Sequence, residues 1–386
     1  MILRRFIVSS AAIVLMSGVV GRPAAAQCLP DVPYPGTDWP DATAATAASK
    51  SAAIATLEKY MFTIQGTDAQ RLGIRTDGLL IIQNGELIYE RYGRTFAAGN
   101  RHDSWSVSKS ITGALVGIAT QHGVSVDDSV CKYLPQLTAA TCAVKIRHLM
   151  EMSAGFQWDE LYENESNQYS SVLATLYGEG HKDMSTFVGD HALANPPGTV
   201  WEYSTGNGIL LAGAMDAAMK PVLGDRWEWT AFFNVIGMNN AIFERDAANR
   251  SVGGSLVFSR PRDLARFGYL YLNNGCWNGQ QLLPAGWVQY AQQLSPPMGL
   301  GKTLDRGPTD VYGHLWWLNI PVAALGLTAP PYPDVPQDAF FAEGHWGQYI
   351  VVIPSKHMVI VRTGDERDST ALDVDTFVKD AMAVGQ

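Results

Sequence analysis

The sequence is poor in charged residues, and above all in positive charge. Only 17% of its 386 residues are charged, and 28 lysines and arginines stand against 37 aspartates and glutamates, which gives a formal net charge of −9. Nucleic acids and anionic membranes attract basic surfaces, so this acidic balance argues against both as partners. The length suits one large domain or two subdomains, and the sequence contains no internal repeat.

Motifs of two hydrolase classes are missing. The eight histidines form no His-x-His or His-x-x-x-His pair, and the four cysteines lack the spacing of a zinc site. We therefore expect no metal and no cofactor. A Gly-x-Ser-x-Gly nucleophile elbow is also absent, which disfavours an α/β-hydrolase.

The four cysteines are informative because of where they lie. Cys131 and Cys142 flank one short segment and could close it as a disulfide in an oxidising compartment. Cys28 and Cys276 would then be left to pair with each other and tie the N-terminal segment to the body of the protein. The sequence leaves this second pairing open.

The N-terminus has the pattern of an export signal. Arg4 and Arg5 are followed by a largely apolar stretch and by Ala24–Ala26, a small-residue cleavage pattern. We therefore expect a signal peptide over residues 1–26 and a periplasmic or secreted mature chain, residues 27–386. The apolar stretch is short and interrupted by serine and glycine, so no stable membrane span is expected after cleavage, although an uncleaved anchor is an alternative.

The tetrad Ser106-Val107-Ser108-Lys109 opens a predicted amphipathic helix, with apolar residues at helical spacing after it. Residues three apart share a helix face, so the Lys109 amine can reach the Ser106 hydroxyl. A buried lysine loses proton affinity and can accept the serine proton, which would make Ser106 an acyl-transfer nucleophile. The alternative is a solvated first turn of an ordinary helix.

A second tetrad of the same pattern, Ser129 to Lys132, shows how little the spacing alone means. It runs into Pro135 within a turn and opens no apolar helix, so we interpret it as a loop.

Two later segments could complete a site with Ser106. Tyr203 precedes an apolar helical run, residues 209–219, and could shuttle a proton, although a packed aromatic is the alternative. Gly344 to Gln348 precedes a predicted strand, residues 349–353. Glycines at a strand start let a substrate approach the backbone closely. For His345 alone, a structural or surface role is the alternative.

Taken in this order, the three elements resemble the serine β-lactamase and penicillin-binding family, which has a Ser-x-x-Lys tetrad, a Tyr- or Ser-led triplet and a Lys-Thr-Gly-like strand. The resemblance extends from about Gln65 onward, and within the family it is most similar to class C-like esterases and 6-aminohexanoate-dimer hydrolase. It implies that Ser106 is the nucleophile, Lys109 its activating amine and Tyr203 the proton shuttle. It also implies an oxyanion hole formed by the backbone N–H groups of Ser106 and Gln348.

The sequence departs from the family pattern at two places. Thr205 stands where many members have asparagine, and His345-Trp346-Gly347 stands where lactamases have Lys-Thr-Gly. A lysine there helps to hold a substrate carboxylate, whereas histidine is mostly neutral at pH 7. We therefore expect hydrolysis, with β-lactam recognition less favoured. The candidate substrate-binding residues are His345, Trp346, Gly347, Asn207 and Tyr162.

The fold class expected from these patterns is α+β, an antiparallel sheet flanked by helices with a helical subdomain, as in the serine β-lactamases and transpeptidases. Asn84-Gly85 between two β-rich runs is a strong hairpin signal, and residues 349–362 predict a second hairpin. The sheet-containing part would cover about 55–105 and 251–386, and the helical part about 106–250, with the site in a cleft between them.

Asp159, Glu160 and Tyr162 lie in a polar stretch between predicted helices. They could line that cleft, but we interpret them as solvated loop residues. Residues 42–55, rich in alanine, threonine and serine, are predicted to start the first helix.

The function expected is that of a periplasmic or secreted serine hydrolase acting on a small ester or amide through a Ser106 acyl-enzyme. A D,D-peptidase or a β-lactamase would share the nucleophile, and a non-catalytic binding module could keep the same fold and cleft. The acyl group, the leaving group and the oligomeric state remain open at this stage.

Overall fold

The structure, a computed structural model, describes residues 28–29, 32–162 and 169–385. The predicted signal peptide, residues 1–26, lies outside the described residues. Across the described ranges no helix combines the length and the apolar character needed to cross a membrane.

The secondary structure of the described chain alternates between a sheet and groups of helices. The strands are β1 (Thr76–Gln83), β2 (Glu86–Tyr92), β3 (His102–Asp103), β4 (Ile242–Phe243), β5 (Val257–Ser259), β6 (Cys276–Trp277), β7 (Gln280–Gln281), β8 (Trp317–Leu318), β9 (Phe340–Gly344), β10 (Gln348–Ile353) and β11 (Met358–Gly364). The helices are α1 (Thr43–Ser49), α2 (Ser51–Phe62), α3 (Val107–Thr120), α4 (Ile146–Met150), α5 (Ser171–Leu176), α6 (Met184–Gly189), α7 (Thr205–Leu223), α8 (Pro261–Leu272), α9 (Trp287–Ala291), α10 (Pro296–Gly299) and α11 (Val374–Val384). The predicted start of a helix within residues 42–55 corresponds to α1 and the first residues of α2.

The main sheet has six antiparallel strands in the order β2-β1-β11-β10-β9-β8. Successive side chains of a strand point to opposite faces, and both faces of this sheet are covered. Leu80 and Ile82 pack on the side of α8 and α3, whereas Leu79 and Ile81 pack on the side of α2 and α11. This two-sided burial explains why β1 is apolar without alternation. The predicted α+β class is therefore confirmed.

Both predicted hairpins are present. Asn84 and Gly85 have φ of 52° and 82°, the left-handed values that a two-residue turn between β1 and β2 requires. The second hairpin joins β10 to β11 through a 3₁₀ turn at Pro354–Lys356 and His357, whose φ is 48°.

Helix α3 differs from its prediction. The sequence predicts an amphipathic helix, but every residue from Val107 to Ala119 is buried. The helix packs against α7 and against strands β9 and β10, so it has no solvent face. Its polar side chains are satisfied inside the protein: the Ser110 hydroxyl donates to Leu315 O at 2.6 Å, and that of Thr112 donates to Gly253 O at 2.9 Å.

The segment predicted as helices and loops, residues 106–250, also contains strand β4. This strand pairs with β5, which pairs in turn with β3, the strand just before the Ser106 tetrad. Strands of two or three residues are too short to show a period of two, so no sequence pattern predicts them.

Two disulfides are present, Cys131–Cys142 and Cys28–Cys276. The first closes the short segment as the spacing predicted. The second joins the N-terminal segment to β6, the pairing that the sequence left open.

Candidate active site

Ser106 is placed by an unusual backbone turn. It is the N-cap residue of α3, and Trp105 before it has a φ of 46°, a conformation that non-glycine residues seldom adopt. The Trp105 N–H donates to the Asp103 carboxylate at 3.0 Å, and the Ser104 hydroxyl donates to Val257 O at 2.5 Å. These bonds hold the strained residue in place, so the chain turns sharply from β3 into α3 with Ser106 at the surface of the cleft.

The Lys109 amine has three hydrogen-bond partners. Its Nζ lies 2.7 Å from Ser106 Oγ, 2.9 Å from Thr205 Oγ1 and 2.8 Å from Gly254 O. The side chain is 1% exposed, and burial lowers the pKa of Lys109 to about 8, an effect that the nearby Glu160 carboxylate opposes. A neutral amine keeps two N–H groups, which suit Thr205 and Gly254, and its lone pair is then left for the Ser106 hydroxyl proton.

Glu160 is the residue that fixes Thr205. The Thr205 hydroxyl donates to Glu160 Oε1 at 2.5 Å, and the Thr205 backbone N–H donates to Oε2 at 2.9 Å. Because the Thr205 hydroxyl donates to the carboxylate, the hydroxyl oxygen is left to accept a hydrogen bond from Lys109. The same oxygen lies 3.2 Å from the Tyr162 hydroxyl. The interpretation of Glu160 and Tyr162 as solvated loop residues is therefore wrong, since both are partly buried and line the cleft, whereas Asp159 is exposed.

Glycines allow α3, α7 and the loop before β5 to meet beneath Lys109. A Cβ on Gly208 would lie 2.8 Å from Gly254 Cα and 3.1 Å from Lys109 Cγ, and one on Gly254 would lie 2.4 Å from Thr205 O. No side chain fits at either contact, and this close approach brings the Gly254 carbonyl to the amine.

Tyr203 lies directly before α7, as the sequence predicted, with Ser204 as the helix N-cap. Its ring stacks on Trp317 with centroids 5.4 Å apart, the Lys109 amine lies 4.8 Å from its centroid, and Tyr203 lines the same cavity as Ser106. Burial, reinforced by Tyr312 and Glu160, raises the pKa of Tyr203 well above its ordinary value. The phenol therefore stays protonated and can donate to an atom bound at Ser106.

His345, Trp346 and Gly347 form the three-residue turn between β9 and β10. Trp346 and Gly347 both have positive φ, 60° and 85°. The His345 ring stacks on Tyr162 at 4.7 Å and meets Trp105 edge-on at 5.4 Å. The turn therefore forms an aromatic rim beside Ser106, in the position where the family resemblance places a lysine.

Gln348 begins β10 just after this turn. Its side-chain amide donates to Gly364 O at 2.7 Å and accepts from Gly364 N at 3.1 Å. The buried side chain thus ties the end of the turn to β11. Its backbone N–H, the predicted second donor of an oxyanion hole, lies at the base of the turn.

The cleft beside Ser106 contains a cavity of about 540 Å³. Of the residues predicted for the site, it brings together Ser106, Tyr162, Tyr203, His345, Trp346 and Gly347. Lys109 lies beneath it, in contact with Ser106. Asn207 does not reach the cavity wall: it is 2% exposed, and its amide donates to Met152 Sδ at 3.5 Å. No cluster suited to a metal ion occurs among the described residues.

Glu160, Trp317 and Glu343 are among the lining residues that were not assigned to the site from the sequence. Glu343 did leave a signal, because it is a lone acid at the end of the apolar run Phe340–Ala342. Trp317 left none, since β8 has only two residues.

The second tetrad does not form a site. The Ser129 hydroxyl donates to Cys142 O at 2.7 Å, and the exposed Lys132 amine is bound to Asp128 at 2.8 Å. The two side chains thus have other partners, in agreement with the interpretation of this segment as a loop.

Comparison with known proteins identifies the family of this chain. The family model described as Beta-lactamase matches residues 54–379. The chain belongs to the β-lactamase family. The resemblance seen in the sequence is thereby confirmed, and the protein is a hydrolase of the serine β-lactamase superfamily.

Three relatives with names or structures share between 15% and 23% of their aligned residues with this chain. The 6-aminohexanoate-dimer hydrolase of Paenarthrobacter ureafaciens is 23% identical over 258 residues, which cover 63% of this chain and 64% of that protein. A putative 6-aminohexanoate-dimer hydrolase from Bacillus anthracis has a similar fold, with a TM-score of 0.62 at 22% identity over 80% of this chain and 78% of that one. A class C β-lactamase superposes with a TM-score of 0.57 at 15% identity, covering 87% of this chain and 96% of that one. At these identities the solved structures establish the fold alone.

Proposed function

We propose that this protein is an exported serine hydrolase that cleaves a small carboxylic ester or amide through an acyl-enzyme on Ser106. The observation that carries the proposal is the 2.7 Å contact between Ser106 Oγ and the buried Lys109 amine. Burial lowers the proton affinity of an amine, so the amine can be neutral and act as a base near neutral pH. A lysine in a surface salt bridge stays protonated and cannot act in this way.

In acylation, neutral Lys109 takes the proton of the Ser106 hydroxyl as Oγ attacks the carbonyl carbon of the substrate. The carbonyl oxygen becomes an oxyanion, which the backbone N–H groups of Ser106 and Gln348 would stabilise. As the tetrahedral intermediate collapses, Tyr203 donates its proton to the leaving oxygen or nitrogen, and Lys109 returns a proton to Tyr203. The products of this half-reaction are the acyl-enzyme and the free alcohol or amine.

In deacylation, water replaces the departed alcohol or amine. Neutral Lys109 takes up the proton, through the Tyr203 hydroxyl, which accepts a proton from the water as it passes its own to the amine. The hydroxide attacks the acyl carbon, and the proton returns from Lys109 to Ser106 Oγ as the carboxylic acid leaves. No further reactant is needed.

The rim favours esters or linear amides over β-lactams. His345 and Trp346 present aromatic rings where a lactamase would present a lysine. The relative named 6-aminohexanoate-dimer hydrolase supports an amide as one possible bond. A β-lactamase or D,D-peptidase shares the same nucleophile and is the second candidate, because the fold also matches a class C β-lactamase.

Export is part of the proposal. Two disulfides fit an oxidising compartment, and the basic-apolar-small pattern of residues 1–26 supports a cleaved signal.

A fluorophosphonate probe tests the nucleophile and separates an enzyme from a binding module. We expect one covalent adduct by intact-mass analysis of the mature protein, mapped to the peptide that contains Ser106. Ser106→Ala is expected to abolish it, and the matched variant Ser129→Ala is expected to retain it. An adduct on Ser129, no adduct at all, or one that survives Ser106→Ala contradicts the proposal.

A further inference from the structure

The cavity that holds Ser106 continues to the partly buried carboxyl group of Glu343. This residue lies on β9 opposite Tyr349 of β10, on the face of the sheet that also carries Phe341. Glu343, Tyr349 and Trp317 line the same cavity as Ser106. A substrate bound at the nucleophile therefore has a carboxyl group within the same enclosure.

The surroundings of Glu343 disfavour its negative charge. Burial, with a further contribution from Asp310, raises the pKa of Glu343 to about 8. The Tyr332 hydroxyl donates a hydrogen bond to the Glu343 carboxyl group at 3.5 Å, a long contact. The groups that shift its pKa, Asp310 and Tyr332, carry no positive charge, so a cation placed here would relieve an electrostatic penalty.

Aromatic rings flank the same position. Tyr203 stacks on Trp317, and Tyr312 meets Trp317 edge-on at 4.6 Å. Tyr203, Tyr312 and Tyr349 all lie close enough to Glu343 for its charge to raise their pKa values. Ring faces attract cations within about 6 Å of the centroid, so the rings and the carboxyl favour the same kind of ligand.

Acidic groups outnumber basic ones in this part of the cleft. Arg367 is the arginine among the described lining residues, and its guanidinium lies 3.2 Å from the Trp346 ring centroid and 3.4 Å from Asp365. A second cavity of about 350 Å³ adjoins the first at Glu160, Tyr203 and Trp317. Its acidic lining residues are Asp159, Glu160, Glu202, Asp305 and Asp310.

We propose that Glu343 and the rings around it form a subsite for a cationic group, an ammonium or quaternary ammonium, carried by the substrate. This inference rests on the proposed ester or amide hydrolysis and specifies its substrate class. The carboxyl group pairs with the cation, and the rings of Trp317 and Tyr349, which line the same cavity, lie around it.

Matched pairs of esters test the subsite. A choline ester is compared with its neutral 3,3-dimethylbutyl isostere, and a p-nitrophenyl ester of trimethylammoniobutyrate with that of 5,5-dimethylhexanoate. The pairs place the charge on the leaving group and on the acyl group in turn. We expect kcat/KM to favour the cationic member of at least one pair by roughly tenfold, the size of a charge-assisted contact of a desolvated cation with rings and a carboxyl group.

Glu343→Gln removes the charge and keeps the shape, so the ratio of cationic to neutral kcat/KM is expected to fall toward one. Asp338→Asn is the matched control, since Asp338 is exposed outside the cleft and its carboxylate bonds to Ser355. It is expected to keep the wild-type ratio. A wild type that treats both members of each pair equally, or a Glu343→Gln ratio equal to that of the wild type, overturns the inference.

A binding measurement separates this inference from the proposed reaction. Calorimetric titration of Ser106→Ala with the better choline or trimethylammonio ester requires no turnover. We expect binding that is at least several-fold weaker for the neutral isostere. Hydrolysis of every ester without charge preference refutes the subsite alone, whereas cation-selective binding without hydrolysis by the wild type refutes the reaction alone.

If Glu343→Gln fails to fold, inhibition of the wild type tests the subsite instead. Tetramethylammonium is expected to inhibit neutral-ester hydrolysis competitively, and absence of this inhibition is evidence against the subsite.

Discussion

The Lys109 amine lies 2.9 Å from the Thr205 hydroxyl, which donates its own hydrogen bond to the Glu160 carboxylate. Three segments far apart in the sequence, α3, the loop at residue 160 and the start of α7, thus meet at a single oxygen atom. Burial lowers the pKa of Lys109 and the carboxylate raises it, so the charge of the proposed base depends on both.

The first prediction concerns pH. Since the neutral form of Lys109 is the proposed base and its pKa is about 8, kcat/KM for a neutral ester is expected to rise with pH and level off above an apparent pKa near 8. Initial rates between neutral and mildly alkaline pH measure this. A rate that falls across that range is incompatible with Lys109 as the base.

Glu160→Gln is expected to move that pH profile to lower pH. The Glu160 carboxylate raises the pKa of Lys109, whereas burial lowers it. Without the carboxylate the pKa of Lys109 falls further, and the amine is deprotonated at lower pH. The plateau rate is also expected to fall, because an amide has one oxygen for the two Thr205 donors. Glu86→Gln, at an exposed position of β2, is the control and is expected to leave the profile in place. A profile shifted to higher pH contradicts the electrostatic role of Glu160.

Lys109 and Tyr203 are expected to act as a unit with Ser106. Lys109→Ala or Tyr203→Phe should each lower kcat by several orders of magnitude, and the double variant should lose little more than the worse single one. Steady-state kinetics with circular dichroism separates lost chemistry from lost folding. Tyr177→Phe, at a tyrosine that is 60% exposed, is the control. Near-normal turnover by Tyr203→Phe would show that the Tyr203 hydroxyl is not needed for catalysis and that the ring only packs.

Esters or linear amides are expected to be better substrates than cephalosporins. Placing a cation in the rim with His345→Lys should improve kcat/KM for a chromogenic cephalosporin relative to a short ester by roughly ten- to a hundredfold, because a charged hydrogen bond to a carboxylate contributes about 1.5–3 kcal/mol. His345→Gln removes the imidazole ring without adding charge and is the control. A wild type that already prefers the cephalosporin identifies the protein as a lactamase.

The two disulfides are expected to differ in their contribution to stability. Cys131 and Cys142 are 11 residues apart, and Cys28 and Cys276 are 248 apart. Loop-closure entropy assigns about 3 kcal/mol to a short loop and about 5 kcal/mol to a very long one. Double Cys→Ser variants of each pair, compared by chemical denaturation, should show the larger loss for Cys28–Cys276. Non-reducing peptide mapping of the exported protein must first show both bonds, and free thiols at Cys131 and Cys142 would refute the first of them.

Local sequence patterns were sufficient for several parts of the fold. The Asn84-Gly85 turn, the start of α3 at Ser106 and the position of Tyr203 before α7 each depend on residues next to one another. Turn chemistry and helical spacing act over such distances, so these elements could be predicted.

Contacts over long distances could not be predicted in this way. Ser108, Ser110 and Thr112 look like the solvent face of α3, but their hydroxyls bond to backbone groups of distant segments, for instance Val257 N at 3.0 Å from Ser108 Oγ. Glu160 was missed for the same reason, since its partner Thr205 lies 45 residues away. Asn207 shows the opposite error: its place in the second motif suggested contact with substrate, but the fold turns it inward.

The glycine contacts beneath Lys109 and the turn at residues 345–347 differ in how much change they can accept. Gly208 and Gly254 have no space for even one methyl group, so substitutions at these two positions would displace the segments that hold Lys109. The turn extends from two strands that are already anchored in the sheet, and its side chains face the cavity. Selection for a new substrate, in nature or in the laboratory, is therefore expected to act on the residues of this turn and to leave the catalytic residues unchanged.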